Sequence, residues 1–302
     1  MRTLTLAAAA AAGLAISACG ITRVSAKPGQ IVAIGAENEY ANVISQIGGR
    51  YVKTDAVMSN PNTDPHTFEA SPSVAADVSQ AQLVVQNGLG YDDFMSKIEA
   101  ASPNSKRKVL NVQHTLGLPD STPNPHLWYS PGYITRAAVG IASDLSALQP
   151  SHASYFQANL RRFKQSLAPL QHAISAFARQ HPATPVATTE PVADYLLTAA
   201  GTHNLTPFTF QADVMNGVDP APQAIKAQNS LLSGRKVKVF VYNQQVTDTM
   251  TQGFLKLASQ HHVPEVGVYE TMPTGYNYQS WMLAELKAMN RAVVTGRSTA
   301  RL

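Results

Sequence analysis

Short apolar runs alternate with amphipathic stretches along most of this chain. Ile31-Val32-Ala33-Ile34-Gly35 reads as a buried strand ending on glycine. Tyr40, Val43, Ile44 and Ile47 then fall on one helical face, and Gly48-Gly49 stops that helix. Tyr51 to Met58 reads as a second strand, Ala75 to Gln80 as a short helix, Leu83 to Gly88 as a third strand and Lys108 to Val112 as a fourth. Strands separated by helices imply parallel pairing and an α/β lobe.

The plan repeats in the second half. Val186 to Thr189, Val237 to Tyr242 and Val266 to Tyr269 read as strands. Val192 to Ala200, Thr249 to His261 and Tyr278 to Met289 read as helices. Between the halves, Phe156, Leu160, Phe163, Leu167, Leu170, Ile174 and Phe177 recur at spacings of four and three. That stripe predicts a helix from Ser151 to about residue 181, roughly 45 Å long, with Pro169 as a point of bending. The expected fold is α/β: two similar lobes with parallel sheets flanked by helices, joined by one long linking helix.

Composition agrees with that size. About 280 residues follow the amino-terminal segment, more than one small domain needs, and 44% of the chain is hydrophobic. Charged residues make up 14% and the net charge is +4, with Lys and Arg scattered. Without a basic run or basic-aromatic interleaving, nucleic-acid binding is not expected.

The single cysteine, Cys19, changes the picture most. Arg2, the alanine-rich apolar stretch from Leu4 to Ile16, and the small residues Ser17-Ala18 are the three parts of a secretory signal. About thirteen apolar-rich residues are too few to span a bilayer comfortably as a helix. A cysteine just after small residues resembles the lipobox of bacterial lipoproteins, in which cleavage leaves Cys19 acylated. The chain thus divides into a signal over 1–18, a tether over 19–30, an amino-terminal lobe over 31–150, the linking helix over 151–181 and a carboxyl-terminal lobe over 182–302. A lone cysteine also excludes an intrachain disulfide, and leaves His, Asp and Glu to hold any metal.

Ligand-type residues stand in four loops that follow predicted strands. These are Asp64-Pro65-His66-Thr67-Phe68-Glu69, Asn124-Pro125-His126-Leu127-Trp128-Tyr129, Thr189-Glu190-Pro191 and Tyr269-Glu270-Thr271. In open parallel sheets, ligands bind outside the carboxyl ends of the strands, so two facing lobes would bring these loops into one cleft. Two neutral imidazoles and two carboxylates carry a charge of −2, which balances a divalent cation. The adjacent prolines restrict the backbone and preset ligand direction. Tyr242-Asn243, after another strand, is placed to add hydrogen bonds around the site. Trp128 and Trp281 read as packing residues near the cleft. The remaining histidines read as surface or cap residues.

The two Pro-His segments, with Glu270-Thr271-Met272-Pro273 and the lipobox, resemble the zinc/manganese class of solute-binding lipoproteins of ABC transporters. The resemblance covers essentially the whole mature chain. It implies a metal site in the cleft made by His66, His126, Glu190 and Glu270. Glu265 and Asp248 are rivals for the fourth place, because that acid is more commonly Asp in the family. Asn124 stands where the family usually has Asp. The resemblance further implies capture of Zn²⁺ or Mn²⁺ as cargo and delivery to an ABC permease and its ATPase. It implies a monomer outside the cytoplasm, tethered to the membrane by lipid and without enzymatic activity. A metal-containing surface adhesion protein and a metal-dependent hydrolase are the alternatives. A hydrolase needs an open coordination position and a positioned base, and no His-Glu-x-x-His, Gly-x-Ser-x-Gly or phosphate-loop pattern occurs.

Overall fold

The structure, a computed structural model, describes residues 26–62, 68 and 71–302. Cys19 and His66 lie outside the described residues, as do the signal and most of the tether. Among the described residues, no helix is long and apolar enough to cross a membrane.

The amino-terminal half forms a four-stranded parallel sheet. Its strands are β1 (Ile31–Glu37), β2 (Val52–Met58), β3 (Leu83–Gln86) and β4 (Lys108–Asn111), in the order β2-β1-β3-β4. Every residue of β1 is buried, as expected of an inner strand of a parallel sheet covered on both faces. Its carboxyl end runs straight into α1 (Asn38–Gly48). That tight turn needs the glycine in the strand: a Cβ on Gly35 would sit 2.5 Å from the backbone nitrogen of Ala41. On α1, Tyr40, Val43, Ile44 and Ile47 are the buried face read from the sequence.

The carboxyl-terminal half repeats the topology. Its strands are β5 (Pro185–Thr188), β6 (His203–Asn204), β7 (Val239–Asn243) and β8 (Glu265–Val268), all parallel and ordered β6-β5-β7-β8. In both sheets the winding direction reverses beside the first strand of the half. Such a switch point leaves a crevice at the carboxyl edge of the sheet.

Two helices carry the apolar stripe between the halves, α6 (Ala153–Ser166) and α7 (Ala168–Gln180). They meet at Leu167, two residues before Pro169, instead of forming one unbroken helix. Proline has no N–H to give to the preceding turn, and its ring crowds the carbonyl four residues back. All seven stripe residues are nevertheless buried. A longer helix that periodicity did not reveal is α5 (Pro131–Leu148), whose buried face is Ile134, Ala137, Ala138, Ile141, Ala142 and Leu145. Half of that face is alanine, so its apolar contrast is weak. Ser130 caps it, accepting from the Tyr133 N–H.

The two halves share a continuous apolar core, which includes Val85, Trp128, Phe163, Val241 and Trp281. A polar seam adds to it. Asn38, Asn42 and Gln46 stand four residues apart on α1 and meet the carboxyl-terminal half along one line. Asn38 donates to the Met272 carbonyl at 2.8 Å and accepts from the Met272 N–H at 2.9 Å. Asn42 accepts from the Tyr278 N–H at 3.1 Å. Gln46 exchanges hydrogen bonds with Gln279, a residue of α12 (Tyr278–Thr295). Opening the lobes would break this seam and expose core. Solution scattering of metal-free and metal-loaded protein should therefore superimpose, with any change confined to the cleft. A metal-dependent fall in radius of gyration of the kind hinge closure produces would contradict this.

Candidate metal site

At the carboxyl edges of the two sheets His126 meets Glu270, and Asn243 links Glu270 to Glu190. His126, Glu190 and Glu270 are 0%, 3% and 0% exposed. His126 lies in the long loop after β4, at the start of a 3-10 turn over Leu127–Tyr129. Glu190 follows β5, and Glu270 follows β8 by two residues. His126 Nε2 lies 3.2 Å from Glu270 Oε2. Among the described residues, no group of three or more His, Cys, Asp or Glu side chains is placed to hold a metal ion.

The imidazole is held in one orientation by Asn124. The Asn124 amide donates to the Pro191 carbonyl at 2.8 Å, which identifies its other atom as the oxygen. That oxygen accepts from the His126 backbone N–H at 3.0 Å and sits 2.8 Å from His126 Nδ1. Nδ1 therefore carries the proton of the neutral ring, and Nε2 presents its lone pair toward Glu270. A lone pair and a carboxylate oxygen 3.2 Å apart repel unless a proton or a cation lies between them. Two ligands on a tetrahedral Zn²⁺ with bonds of about 2.0–2.1 Å are about 3.3 Å apart. Two adjacent ligands on an octahedral ion at about 2.1 Å are about 3.0 Å apart. The observed separation suits a shared ion in either geometry.

The carboxylates are oriented from behind. Asn243, the last residue of β7, donates to Glu270 Oε1 at 2.6 Å and lies 3.2 Å from Glu190 Oε2. The Tyr91 hydroxyl donates to Glu270 Oε2 at 3.0 Å. Gln245 Oε1 accepts from the backbone N–H groups of Glu270 and Thr271 at 2.6 and 2.9 Å. On the histidine side, Asn87 donates to the Pro125 carbonyl at 2.8 Å and accepts from the Tyr40 hydroxyl at 2.6 Å. The buried Trp128 ring packs edgewise on His126 at 5.4 Å between centroids and on Tyr91 at 4.9 Å. Trp281 is buried too, and its N–H goes to Glu285.

The two rivals for the fourth place stand elsewhere. Asp248 is exposed and caps α11 (Thr249–Gln260), accepting from the Thr251 N–H at 2.7 Å. Glu265 opens β8 at its amino end, away from the cleft edge. Of the Tyr242-Asn243 pair, only Asn243 reaches the site; the Tyr242 hydroxyl bonds to the Ala300 carbonyl at 3.2 Å. His114, His172, His203 and His262 are exposed, and His152 stacks on Tyr51 at 3.7 Å.

Two acids at the site's edge escaped the sequence reading. Glu37 ends β1 and Glu39 lies in the first turn of α1, and both are fully buried. Among the described residues their carboxylate oxygens meet no hydrogen-bond partner. Burial pushes both well above the usual carboxylate range. Repulsion from Asp92 adds to this at Glu37 and repulsion from Glu270 adds to it at Glu39. Glu37 closes an otherwise apolar strand, a pattern that in sequence does not separate a buried acid from a solvated one.

The chain matches the family described as zinc-uptake complex component A, periplasmic (ZnuA), over residues 36–292. It belongs to that family. Among curated relatives it is 27% identical over 179 residues to the manganese-binding lipoprotein MntA of Bacillus subtilis, an alignment covering 55% of this chain and 56% of that protein. It is 22% identical over 250 residues to the manganese ABC transporter substrate-binding lipoprotein PsaA of Streptococcus anginosus, covering 78% of this chain and 79% of that one. Among solved structures, the periplasmic zinc-binding protein TroA of Treponema pallidum superimposes with a TM-score of 0.74 at 17% identity, covering 89% of this chain and all of that one. FpvC of Pseudomonas aeruginosa, solved with Mn²⁺, gives 0.71 at 23% identity, covering 87% of this chain and 98% of that one. These likenesses establish the two-lobed fold for this family member.

Asn124 provides a direct test of the histidine's orientation. In Asn124→Ala the ring loses the acceptor that fixes its proton on Nδ1, and metal affinity should fall about 10- to 100-fold. Competition against a chelating dye measures it. An unchanged dissociation constant would mean that His126 Nε2 is not a ligand.

Proposed function

We propose that this chain captures Zn²⁺ or Mn²⁺ outside the cytoplasm and delivers it to an ABC permease driven by its ATPase. The metal is cargo, held by His66, His126, Glu190 and Glu270. The observation that carries this reading is the facing of His126 Nε2 and Glu270 Oε2 across the lobes at 3.2 Å, with Nδ1 occupied by Asn124. The names of the relatives, which describe manganese-binding and substrate-binding lipoproteins, support it.

Carriage follows from the donor set. Four protein ligands satisfy the ion without requiring a bound water to activate, so the protein is read as a carrier and not an enzyme. Carboxylates can bind through one oxygen or two, which lets the site take either a tetrahedral or a higher-coordinate ion. Cys19 is proposed as the acylated first residue of the mature chain. It tethers a monomeric two-lobed domain through residues 19–30, with lobes over 31–150 and 182–302.

His126→Ala removes a nitrogen donor that water replaces poorly, and should weaken binding more than any single carboxylate change. Elemental analysis of the purified mature protein, followed by competition between Mn²⁺ and Zn²⁺, checks both capture and preference. Acid should weaken binding in a diagnostic way. An imidazole binds metal only when neutral, and its reference pKa is near 6.5, so protons and metal compete for both histidines below about pH 6. With two such ligands the loss approaches about a hundredfold per pH unit once both are protonated in the free protein. The parent should therefore show a steeper decline than His126→Ala between pH 7.5 and 5. A flat parent profile would exclude histidine ligands.

A further inference from the structure

We propose that Glu285, a residue of α12 that does not touch the cargo, is a positioning residue that sets the spacing between the His126 arm and the Glu270 arm of the site. The proposal rests on the reading of His126 and Glu270 as ligands.

Glu285 is 1% exposed. A single oxygen, Oε1, gathers both arms. It accepts from the Tyr269 backbone N–H at 3.3 Å, immediately before Glu270. It also accepts from the Tyr129 hydroxyl at 3.0 Å, three residues after His126. The Trp281 indole N–H, one turn earlier on α12, donates to the same oxygen at 2.7 Å and fixes its position. The Tyr129 hydroxyl closes the link by also lying 2.6 Å from the Tyr269 carbonyl oxygen. Next to it, the Tyr278 hydroxyl donates to the Trp128 carbonyl at 2.6 Å. The backbones on either side of the His126–Glu270 pair are thus pinned to one another through α12.

The position is costly for an acid. Burial pushes the Glu285 carboxyl up to about 8, while the hydrogen bonds from Tyr129, Trp281 and the Tyr269 backbone pull it down. An apolar residue would pack there without that cost, but it would leave the Trp281 and Tyr269 N–H donors unpaired and the Tyr129 hydroxyl with the Tyr269 carbonyl alone. Oε1 remains an acceptor whether the acid is charged or neutral, so the positioning role needs the oxygen and not the charge.

The test compares Glu285→Gln with Glu285→Met in the full mature protein. Mn²⁺ and Zn²⁺ dissociation constants are measured by dye competition well below the melting temperature, together with the metal-free melting temperature. Glutamine keeps an oxygen at the same place and should keep the parent affinity for both ions. Methionine keeps the volume but not the acceptor. It should weaken both ions about 10- to 100-fold, the range seen when partners behind metal ligands are removed. A methionine variant with a lowered melting temperature but parent affinity would overturn the proposal and leave Glu285 a folding residue. Should Glu285→Met fail to fold, Tyr129→Phe cuts the link from the histidine side while keeping the ring. Weakened binding in that variant supports the proposal, and unchanged binding overturns it. A parent protein that binds neither ion overturns the site reading itself and this proposal with it. Parent binding with insensitive variants overturns this proposal alone.

Discussion

The arrangement of the cleft depends on the meeting of His126 and Glu270 across the interface between the lobes. One comes from a loop after the fourth strand, the other from a loop after the last strand, 144 residues later in the chain. Each arrives with its backbone already committed. Asn124 fixes the ring proton and at the same time bonds to Pro191 in the other lobe. Gln245 fixes the backbone that carries Glu270. A neutral imidazole lone pair aimed at a carboxylate is unfavourable by itself, so the site stores a demand for positive charge. A divalent cation would meet that demand, and so would a proton, so on the proposed reading acid should compete with metal.

Meeting across an interface is useful only if the lobes keep their distance. The shared apolar core, the α6–α7 pair and the polar seam along α1 all resist separation. On the proposed reading, affinity comes from ligands held in place before the ion arrives, and selectivity from how far the carboxylates can adjust. The observed ligand separation lies between the values expected for tetrahedral and octahedral ions, and the donor set is nitrogen and oxygen only. Both features fit a site that accepts more than one first-row metal.

Much of this was legible in the sequence. The alternation of apolar runs with helical periodicity gave two parallel sheets, and every strand expected from a run is present within a few residues. The strand that escaped notice, β6, has only two residues. Several helices escaped, among them those over Phe94–Ala101, Phe208–Met215 and Pro222–Ser233; the longest, α5, hides its buried face behind alanines. For the site, placement after strands pointed to His66, His126, Glu190 and Glu270; His126 stands beside Glu270, Asn243 links Glu270 to Glu190, and His66 lies outside the described residues. The burial that makes Glu37 and Glu39 unusual was not legible, because a polar residue at a strand end looks the same in sequence whether it faces solvent or an opposing lobe. Glu285 was invisible for a related reason: on a helix with ample polar residues, only the packing of Tyr129 and Trp281 against it marks it out. Pro169 marks a disturbance in the apolar stripe, and the helix divides two residues before it.

The central claim is that one metal ion is held by two imidazoles and two carboxylates. X-ray absorption spectroscopy of the Zn²⁺-loaded mature protein tests it most directly. The account predicts a first shell of nitrogen and oxygen only, at about 2.0–2.2 Å, with the outer-shell scattering of two imidazole rings. A sulfur contribution, or the scattering of fewer than two imidazoles, would contradict it.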